Sequence, residues 1–510
     1  MARPAVESVA IIGAGPAGAI AVDALAQEQA FNWIRVFERR EKAGGCWIAD
    51  PEDHVQQLPD LEKIAARVPD EPLAIPEKLP TRAPHNKQYR FAETSIYPHL
   101  ETNIDADAMS FSQEPMPAVR SELTIQRHGE ASPFRHWKII EDYIQSLLNR
   151  NGYADLVSYN TTVELISKDA ATQKWIVVLR RPVQGKEEEE DEWWTESFDA
   201  IVVAAGHYTV PYIPSTPGLA EFLKAYPGSV EHSKSWRSVS KYAGKKVVVV
   251  GASISGTDIS FALAPVVQHP LHAVVRGKYH PYFFDWAFQH PNIERRPPIS
   301  HISVENRTVT FEDGSSIQDV DHIIFGTGYT WTLPFLPPLA KTIRNNRLPN
   351  LWQHVFWNED PSLTFVGAVA AGFTFKVFEW QAVLAARYLA GRIPVPDKEG
   401  MQEWEERRIA YKGDGVPFTA LYPDFEEYFE EVRALAGEPT SNGKGRKLPA
   451  WEKHWREGFD AGHLLRIDMW KRGNEEARKA LLSEQQRSGE KDGQQQVFVQ
   501  AVDDGNDIRV

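Results

Sequence analysis

The stretch Ser8-Val9-Ala10-Ile11-Ile12-Gly13-Ala14-Gly15-Pro16-Ala17-Gly18 decides the fold. Its first five residues read as a short buried strand, and a GxGxxG turn follows at once. An Ala-rich helical stretch then runs from Ala17 to about Gln27, and Trp33 to Phe37 reads as a second strand. In such a turn the first glycine permits the tight bend and the second lets backbone N–H groups approach a pyrophosphate. The third allows helix and strand to pack closely. Pro16 brings the φ that a first helical turn wants. The helix N-terminus adds unpaired N–H donors and the positive end of its dipole. Glu38 stands 25 residues beyond Gly13, where a carboxylate accepts hydrogen bonds from ribose hydroxyls. Strand, turn, helix, strand and acid together specify a dinucleotide-binding unit.

The pattern returns once. Lys246-Val-Val-Val-Val leads into Gly251-Ala252-Ser253-Ile254-Ser255-Gly256, with a helix predicted from Thr257 to Leu263 and a strand from His272 to Val275. Ser253 replaces the middle glycine; its side chain is small, and its hydroxyl could bond a phosphate. Arg276 stands 25 residues beyond Gly251, the offset at which the first unit has Glu38. A carboxylate favours a ribose diol, and a guanidinium favours a 2′-phosphate. The first site therefore fits FAD and the second NADPH, with Lys278 nearby as a competitor for the phosphate.

The expected fold is α/β, with two Rossmann-like dinucleotide-binding domains and a C-terminal helical extension. The larger FAD domain comprises 1–210 and 326–398, with an irregular, proline-rich insert at about 50–94. The smaller NADPH domain, 211–325, is inserted into it, and 399–510 is the extension. A chain of 510 residues suits several domains. A net charge of −14 disfavours nucleic acid and anionic membranes as partners. Cys46 is the one cysteine, so an internal disulfide, a CxxC redox pair and a cysteine-rich zinc site are excluded, and no metal is expected. Cys46 reads as a small buried side chain. The longest apolar run, Thr364 to Phe375, is too short for a membrane span, and Met1-Ala-Arg-Pro leads straight into strand pattern. A cytoplasmic enzyme is the expectation. An amphipathic helix is expected from His136 to Leu148, and the acidic run Glu187 to Glu192, with its four consecutive glutamates, reads as a solvated loop between sheet elements.

The order of motifs resembles the class B flavoprotein monooxygenases, the flavin-containing monooxygenase family. After the first turn comes Gly44-Gly45-Cys46-Trp47. Later, Tyr226-Pro-Gly228-Ser-Val-Glu-His232-Ser-Lys-Ser-Trp236 is similar to the family fingerprint FxGxxxHxxx(Y/F/W). Ala204-Ala205-Gly206-His207-Tyr208 and Phe325-Gly326-Thr327-Gly328-Tyr329 resemble its two interdomain hinges. Phe378-Glu379-Trp380-Gln381-Ala382 looks like its late segment beside the flavin. The resemblance implies FAD contacts from Gly13, Gly15, Pro16, Ala17, Gly18, Glu38, Gly45, Trp47, Val163, Gly206, Thr327, Gly328, Glu379 and Gln381. It implies NADPH contacts from Gly251, Ser253, Ile254, Ser255, Gly256 and Arg276. It also implies that NADPH reduces FAD, that the reduced flavin captures O₂ as a C4a-hydroperoxide, and that NADP⁺ shields this adduct.

Tyr97-Pro-His-Leu-Glu-Thr-Asn103 is similar to the segment whose asparagine faces the flavin, which makes Asn103 the adduct-stabilising amide. His232 is the second candidate catalytic residue, with a structural role in the linker as the favoured reading. An uncharged amide, the pair Trp236-Arg237, and the lack of a Tyr/Phe-Pro-Gly turn after Trp47 favour oxygenation of nitrogen or sulfur in a small amine or sulfide. The alternatives are Baeyer–Villiger oxygenation of ketones, which Trp236 itself favours, an NADPH:acceptor flavin reductase, and an N-hydroxylase of the lysine and ornithine type. The extension reads as packed over the two core domains; it could also cover the substrate entrance or form a homodimer interface.

Overall fold

The computed structural model describes residues 6–51, 58, 60–277, 279–370 and 372–503, with side chains to 487. Sequence readings at 1–5, 52–57, 59, 278, 371 and 504–510 lie outside the described residues. The chain divides into two units. One is Met1–Ser215, Lys234–Arg237 and Gly328–Gly462; the other is Thr216–Ser233, Ser238–Thr327 and His463–Val510.

In the first unit, strand β1 (Ser8–Ile12) is buried at every residue, as a strand covered on both faces must be. It ends at Gly13, whose φ of +103° lies where L side chains rarely go. Helix α1 (Pro16–Glu28) crosses over to β2 (Trp33–Phe37), parallel to β1 in the register Val9↔Ile34. Strand β3 (Ala200–Val203) lies parallel on the other side of β1, and Leu363–Phe365 lies parallel beyond it. Small residues let α1 bury almost all round, with helix Thr374–Leu389 packed against it.

An antiparallel sheet in the order Thr81–Pro84, Glu190–Phe198, Trp175–Pro182, Thr162–Lys168 completes this unit. Val163, Val177, Leu179 and Phe198 from its inner face share one core with Ile12 and Phe37. Two expectations are corrected here. The insert is not irregular throughout: it holds helix Leu61–Ala65, and Thr81–Pro84 is an edge strand, where proline is tolerated. Not all of the acidic run is solvated. Glu190 starts a strand, and Asp191 is wholly buried, accepting from Arg180 Nη1 at 3.1 Å and the Asn86 N–H at 2.9 Å.

In the second unit β4 (Val247–Val250), α2 (Ile254–Leu263), β5 (Leu271–Val274) and β6 (His322–Phe325) form the repeated pattern. The sheet is parallel throughout, ordered Val230–His232, β6, β4, β5, Ile293–Arg296. The last helix, Lys453–Asp503, belongs to this unit from His463 onward. There Ile467 and Trp470 pack against Phe283, Ala287, Ile254 and Phe261, and Arg466 pairs with Asp258 of α2. No helix among the described residues is long and apolar enough to cross a membrane.

Candidate functional site

The two turns share one construction. A Cβ on Gly13 would stand 2.8 Å from the carbonyl oxygen of Ala204, just past β3, and one on Gly18 would stand 1.9 Å from that of Gly13. In the second unit a Cβ on Gly251 would meet the Gly326 oxygen at 2.5 Å, and one on Gly256 the Gly251 oxygen at 2.1 Å. Strand, helix and the next strand therefore converge more closely than any side chain allows. The middle positions differ for a local reason. Gly15 lies under Gly45, whose Cβ would come to 2.9 Å from the Gly15 Cα, whereas Ser253 is exposed and its side chain has room.

Around the first turn the structure brings together Gly13 to Gly18, Glu38 and Gly45. The Gly44 N–H donates to the Ala14 carbonyl at 3.0 Å, laying the Gly44–Trp47 segment over the turn. Glu38 accepts from the Ala14 N–H at 2.7 Å and the Arg40 N–H at 2.9 Å. Burial pushes its carboxyl up against the pull of those donors. Gly15 supplies no side-chain cap, and the first-turn N–H groups of Ala17 and Gly18 meet no acceptor among the described residues. A carboxylate beside a glycine cradle with free helix-end donors fits an adenosine diphosphate moiety. Val163 is buried in the core with Phe37, and Gly206 is exposed at φ +68° past β3.

Around the second turn, Ser253 does not cap α2 with its side chain, and the N–H groups of Ser255 and Gly256 meet no acceptor among the described residues. Ile254 and Ser255 form the first turn of α2. Arg276 lies two residues past β5, exposed, with no carboxylate partner among the described residues. That arrangement fits a phosphorylated ribose. His232 ends strand Val230–His232, fully buried and paired with Phe325. Thr327 is the last residue of this unit before the chain returns to the first at Gly328.

The fingerprint motif is split, since Lys234–Arg237 belongs to the first unit. Lys234 is 2% exposed and donates to the carbonyls of Thr209 at 2.6 Å and Phe91 at 3.0 Å, with the Glu93 carboxylate at 3.3 Å. Burial pulls its ammonium down to about 8, against the pull of Glu93. Trp236 stands edge-on to Tyr97, centroids 4.7 Å apart, and Arg237 donates to the Thr94 carbonyl at 3.1 Å. Lys234 was not singled out by sequence, although its place inside the fingerprint was a signal.

Asn103 is half-buried, and its amide makes no hydrogen bond among the described residues. Its neighbours fix the loop: Thr102 Oγ1 accepts from the Arg135 N–H at 3.0 Å and donates to the Ile104 carbonyl at 3.2 Å.

The hinge segments also bring aromatic side chains of the first unit together, with His207 4.2 Å from Tyr208 and Tyr208 edge-on to Tyr329 at 5.7 Å. Tyr208 keeps 47% of its surface accessible, yet desolvation pushes its phenol up to about 12. Tyr329 is likewise pushed up to about 12 by desolvation. The expectation of a buried Cys46 is corrected: the residue is exposed, although surrounding protein still pushes its thiol up to about 11. His207, stacked on Trp331 at 4.2 Å, is drawn down to about 4 by burial and is neutral at pH 7.

Glu379 and Gln381, expected against the cofactor, have protein partners. Glu379 accepts from the Ser112 N–H and from Arg446 Nε, both at 2.7 Å. Gln381 accepts from the Gly367 N–H at 2.8 Å and donates to the Tyr428 hydroxyl at 2.9 Å. Gly367 and Gly206 line one cavity of about 10 Å³, room for a single water.

Fold and turns define a protein with two dinucleotide-binding domains. The chain belongs to the flavin-binding monooxygenase-like family, which matches residues 86–279 and 293–439. It is a flavin-containing monooxygenase with FAD and NADPH as cofactors. It is similar to flavin-containing monooxygenase ustF2 of Aspergillus flavus, 25% identical across 90% of this chain and 98% of that one. It is also similar to a trimethylamine monooxygenase of Methylocella silvestris, 27% identical across 89% and 96%. Among solved structures, S-allyl-L-cysteine S-oxygenase from Allium sativum superposes with a TM-score of 0.68 at 24% identity, covering 93% of this chain and 98% of that one.

Proposed function

We propose that the chain oxygenates a nitrogen or sulfur atom of a small organic amine or sulfide, with the first unit holding FAD and the second NADPH. When bound, the flavin supplies the redox and oxygen chemistry, with electrons from NADPH and one oxygen atom from O₂ passing to the substrate. Gly13 to Gly18 and Glu38 hold the adenosine end of FAD. Gly251 to Gly256 and Arg276 hold NADPH, with the guanidinium on its 2′-phosphate. His232 fixes the end of its strand, Gln381 orders the Gly367 backbone, and Glu379 is architectural.

The observation that carries the reading is Asn103. An unpartnered, half-buried amide can donate a hydrogen bond to an oxygen at the reacting centre without drawing off its proton. Oxygen that keeps its proton is electrophilic and is attacked by an amine or thioether lone pair; a ketone would need a nucleophilic oxygen. The names of relatives that act on trimethylamine and on S-allyl-L-cysteine support this branch. The test supplies NADPH and ¹⁸O₂ with a tertiary amine, a thioether and a cyclic ketone together. Label is expected in the N-oxide or sulfoxide; label found only as an inserted ester oxygen would reverse the assignment.

Arg276 carries a separate expectation. Arg276→Ala should weaken NADPH binding by about 10- to 150-fold, the loss of one charge-assisted contact worth ~1.5–3 kcal/mol. NADH, which lacks the 2′-phosphate, should change by less than about twofold. Equal losses for both would remove Arg276 from the phosphate site.

A further inference from the structure

The helix Lys453–Asp503 starts inside the first unit, which includes it as far as Gly462. His454, Gly458 and Gly462 recur at four-residue spacing, so they lie along one face of it. That face meets the segment just after Asn103, with the Phe134 ring also 3.5 Å from where a Cβ on Gly462 would stand. His454 Nε2 lies 2.9 Å from Asp107 Oδ2. A Cβ on Gly458 would stand 3.2 Å from Asp105 Cγ, and one on Gly462 would stand 3.4 Å from the Asp105 backbone nitrogen and 3.8 Å from the Ile104 carbonyl carbon. Asp105 in turn caps the short helix Ala106–Met109, accepting from the N–H groups of Asp107 at 2.8 Å and Ala108 at 3.2 Å.

A second grip comes from beneath. Lys376, buried, donates to the Ser110 carbonyl at 3.1 Å, and its ammonium lies 4.4 Å from the ring centre of Trp455 on the same final helix. Helix Thr374–Leu389 and the start of the final helix thus hold the 105–110 segment between them, while Thr102 pins its other end to Arg135.

We propose that the stretch of the final helix from His454 to Gly462 is a positioning element for Asn103, and that Gly458 sets the depth at which the amide stands. The inference rests on the reading that Asn103 meets the oxygen at the reacting centre. Two glycines in a helix interior are a poor choice for helix formation, since alanine would be better there. At Gly458 the close approach of Asp105 accounts for the choice. A methyl group at Gly458 would oblige Asp105 to give by a few tenths of an ångström, and displacements of that order matter for a reacting-centre hydrogen bond.

The experiment compares Gly458→Ala, the double variant Gly458→Ala/Asp105→Ser, and Asn103→Ala with the wild-type holoenzyme. It reads peroxide released per NADPH oxidised, the anaerobic rate of flavin reduction, and Tm. Hydrogen exchange of the 102–109 amides is followed in flavin-free protein. Gly458→Ala is expected to raise peroxide release about threefold or more, with reduction rate and Tm held, and to change exchange at 102–109. Asp105→Ser retains a capping oxygen on a shorter side chain and should restore coupling. Asn103→Ala that stays coupled would overturn the reading of Asn103 and this role with it. Uncoupled Asn103→Ala beside coupled Gly458→Ala, with unchanged exchange, would overturn the positioning role alone.

Discussion

Replacing Arg446 with methionine is expected to lower the unfolding free energy by about 3–5 kcal/mol near neutral pH, the usual result of removing one partner from a buried ion cluster. Arg446 is wholly buried and reaches three carboxylates: Asp23 and Glu114 at 2.5 Å and Glu379 at 2.7 Å. Arg150 shares two of them, with Asp23 at 2.8 Å and Glu114 at 2.7 Å. Asp23 lies on α1, Glu379 on helix Thr374–Leu389, and Arg446 in the chain beyond residue 436. One guanidinium therefore ties three remote parts of the first unit together. Methionine fills much of the volume but leaves Asp23 and Glu379 charged, buried and short of a counter-ion.

The pH dependence of that loss has a definite sign. Burial alone would push the Asp23 carboxyl up, but Arg446 and Arg150 hold it below the ordinary carboxylate value. In the wild type this lowered value contributes stability that is present at neutral pH and disappears as pH falls through the carboxylate range. In Arg446→Met only Arg150 is left to oppose burial at Asp23, so that carboxyl moves up and takes up a proton more readily. The difference between wild type and variant should then be largest above about pH 6 and shrink toward about pH 4. Chemical denaturation of both proteins at several pH values checks it. A neutral-pH difference below about 1 kcal/mol would mean the cluster is decorative rather than structural.

The cluster also shows where sequence stops being informative. Arg446 and Asp23 are 423 positions apart, and no period or motif joins them. Glu379 matches a motif that places it by the flavin, yet its oxygens face Ser112 and Arg446. A motif fixes a backbone position here, but the partner that arrives in space decides what the side chain does. Both turns are legible because their signals lie within about 25 residues, a buried strand, the spaced small residues and one charge, although Ala204 and Gly326, which close over them, come from far along the chain. Asn103 is legible only through likeness, since a lone asparagine after a threonine carries no periodicity. Cys46 misleads for a simple reason: Gly45, one residue before it, is the position pressed against the turn, and the cysteine next to it is left exposed.

The matching construction of the turns makes a paired substitution the sharpest test of which unit holds which nucleotide. Gly18→Ala puts a methyl group 1.9 Å from the Gly13 oxygen, and Gly256→Ala puts one 2.1 Å from the Gly251 oxygen. Neither can be accommodated without moving the helix end off its turn, a strain of about 1–3 kcal/mol taken at the surface that grips the pyrophosphate. If the first unit holds FAD, Gly18→Ala should purify with little or no flavin and lose all monooxygenase activity. If the second holds NADPH, Gly256→Ala should remain yellow and be reduced by dithionite at the wild-type extent, while NADPH no longer bleaches it. Flavin absorbance of the purified proteins and anaerobic titration with each reductant separate the two cases. A yellow Gly18→Ala, or a colourless Gly256→Ala, would exchange the assignments. The outcome turns on backbone geometry alone, because each substitution changes neither charge nor hydrogen-bonding groups.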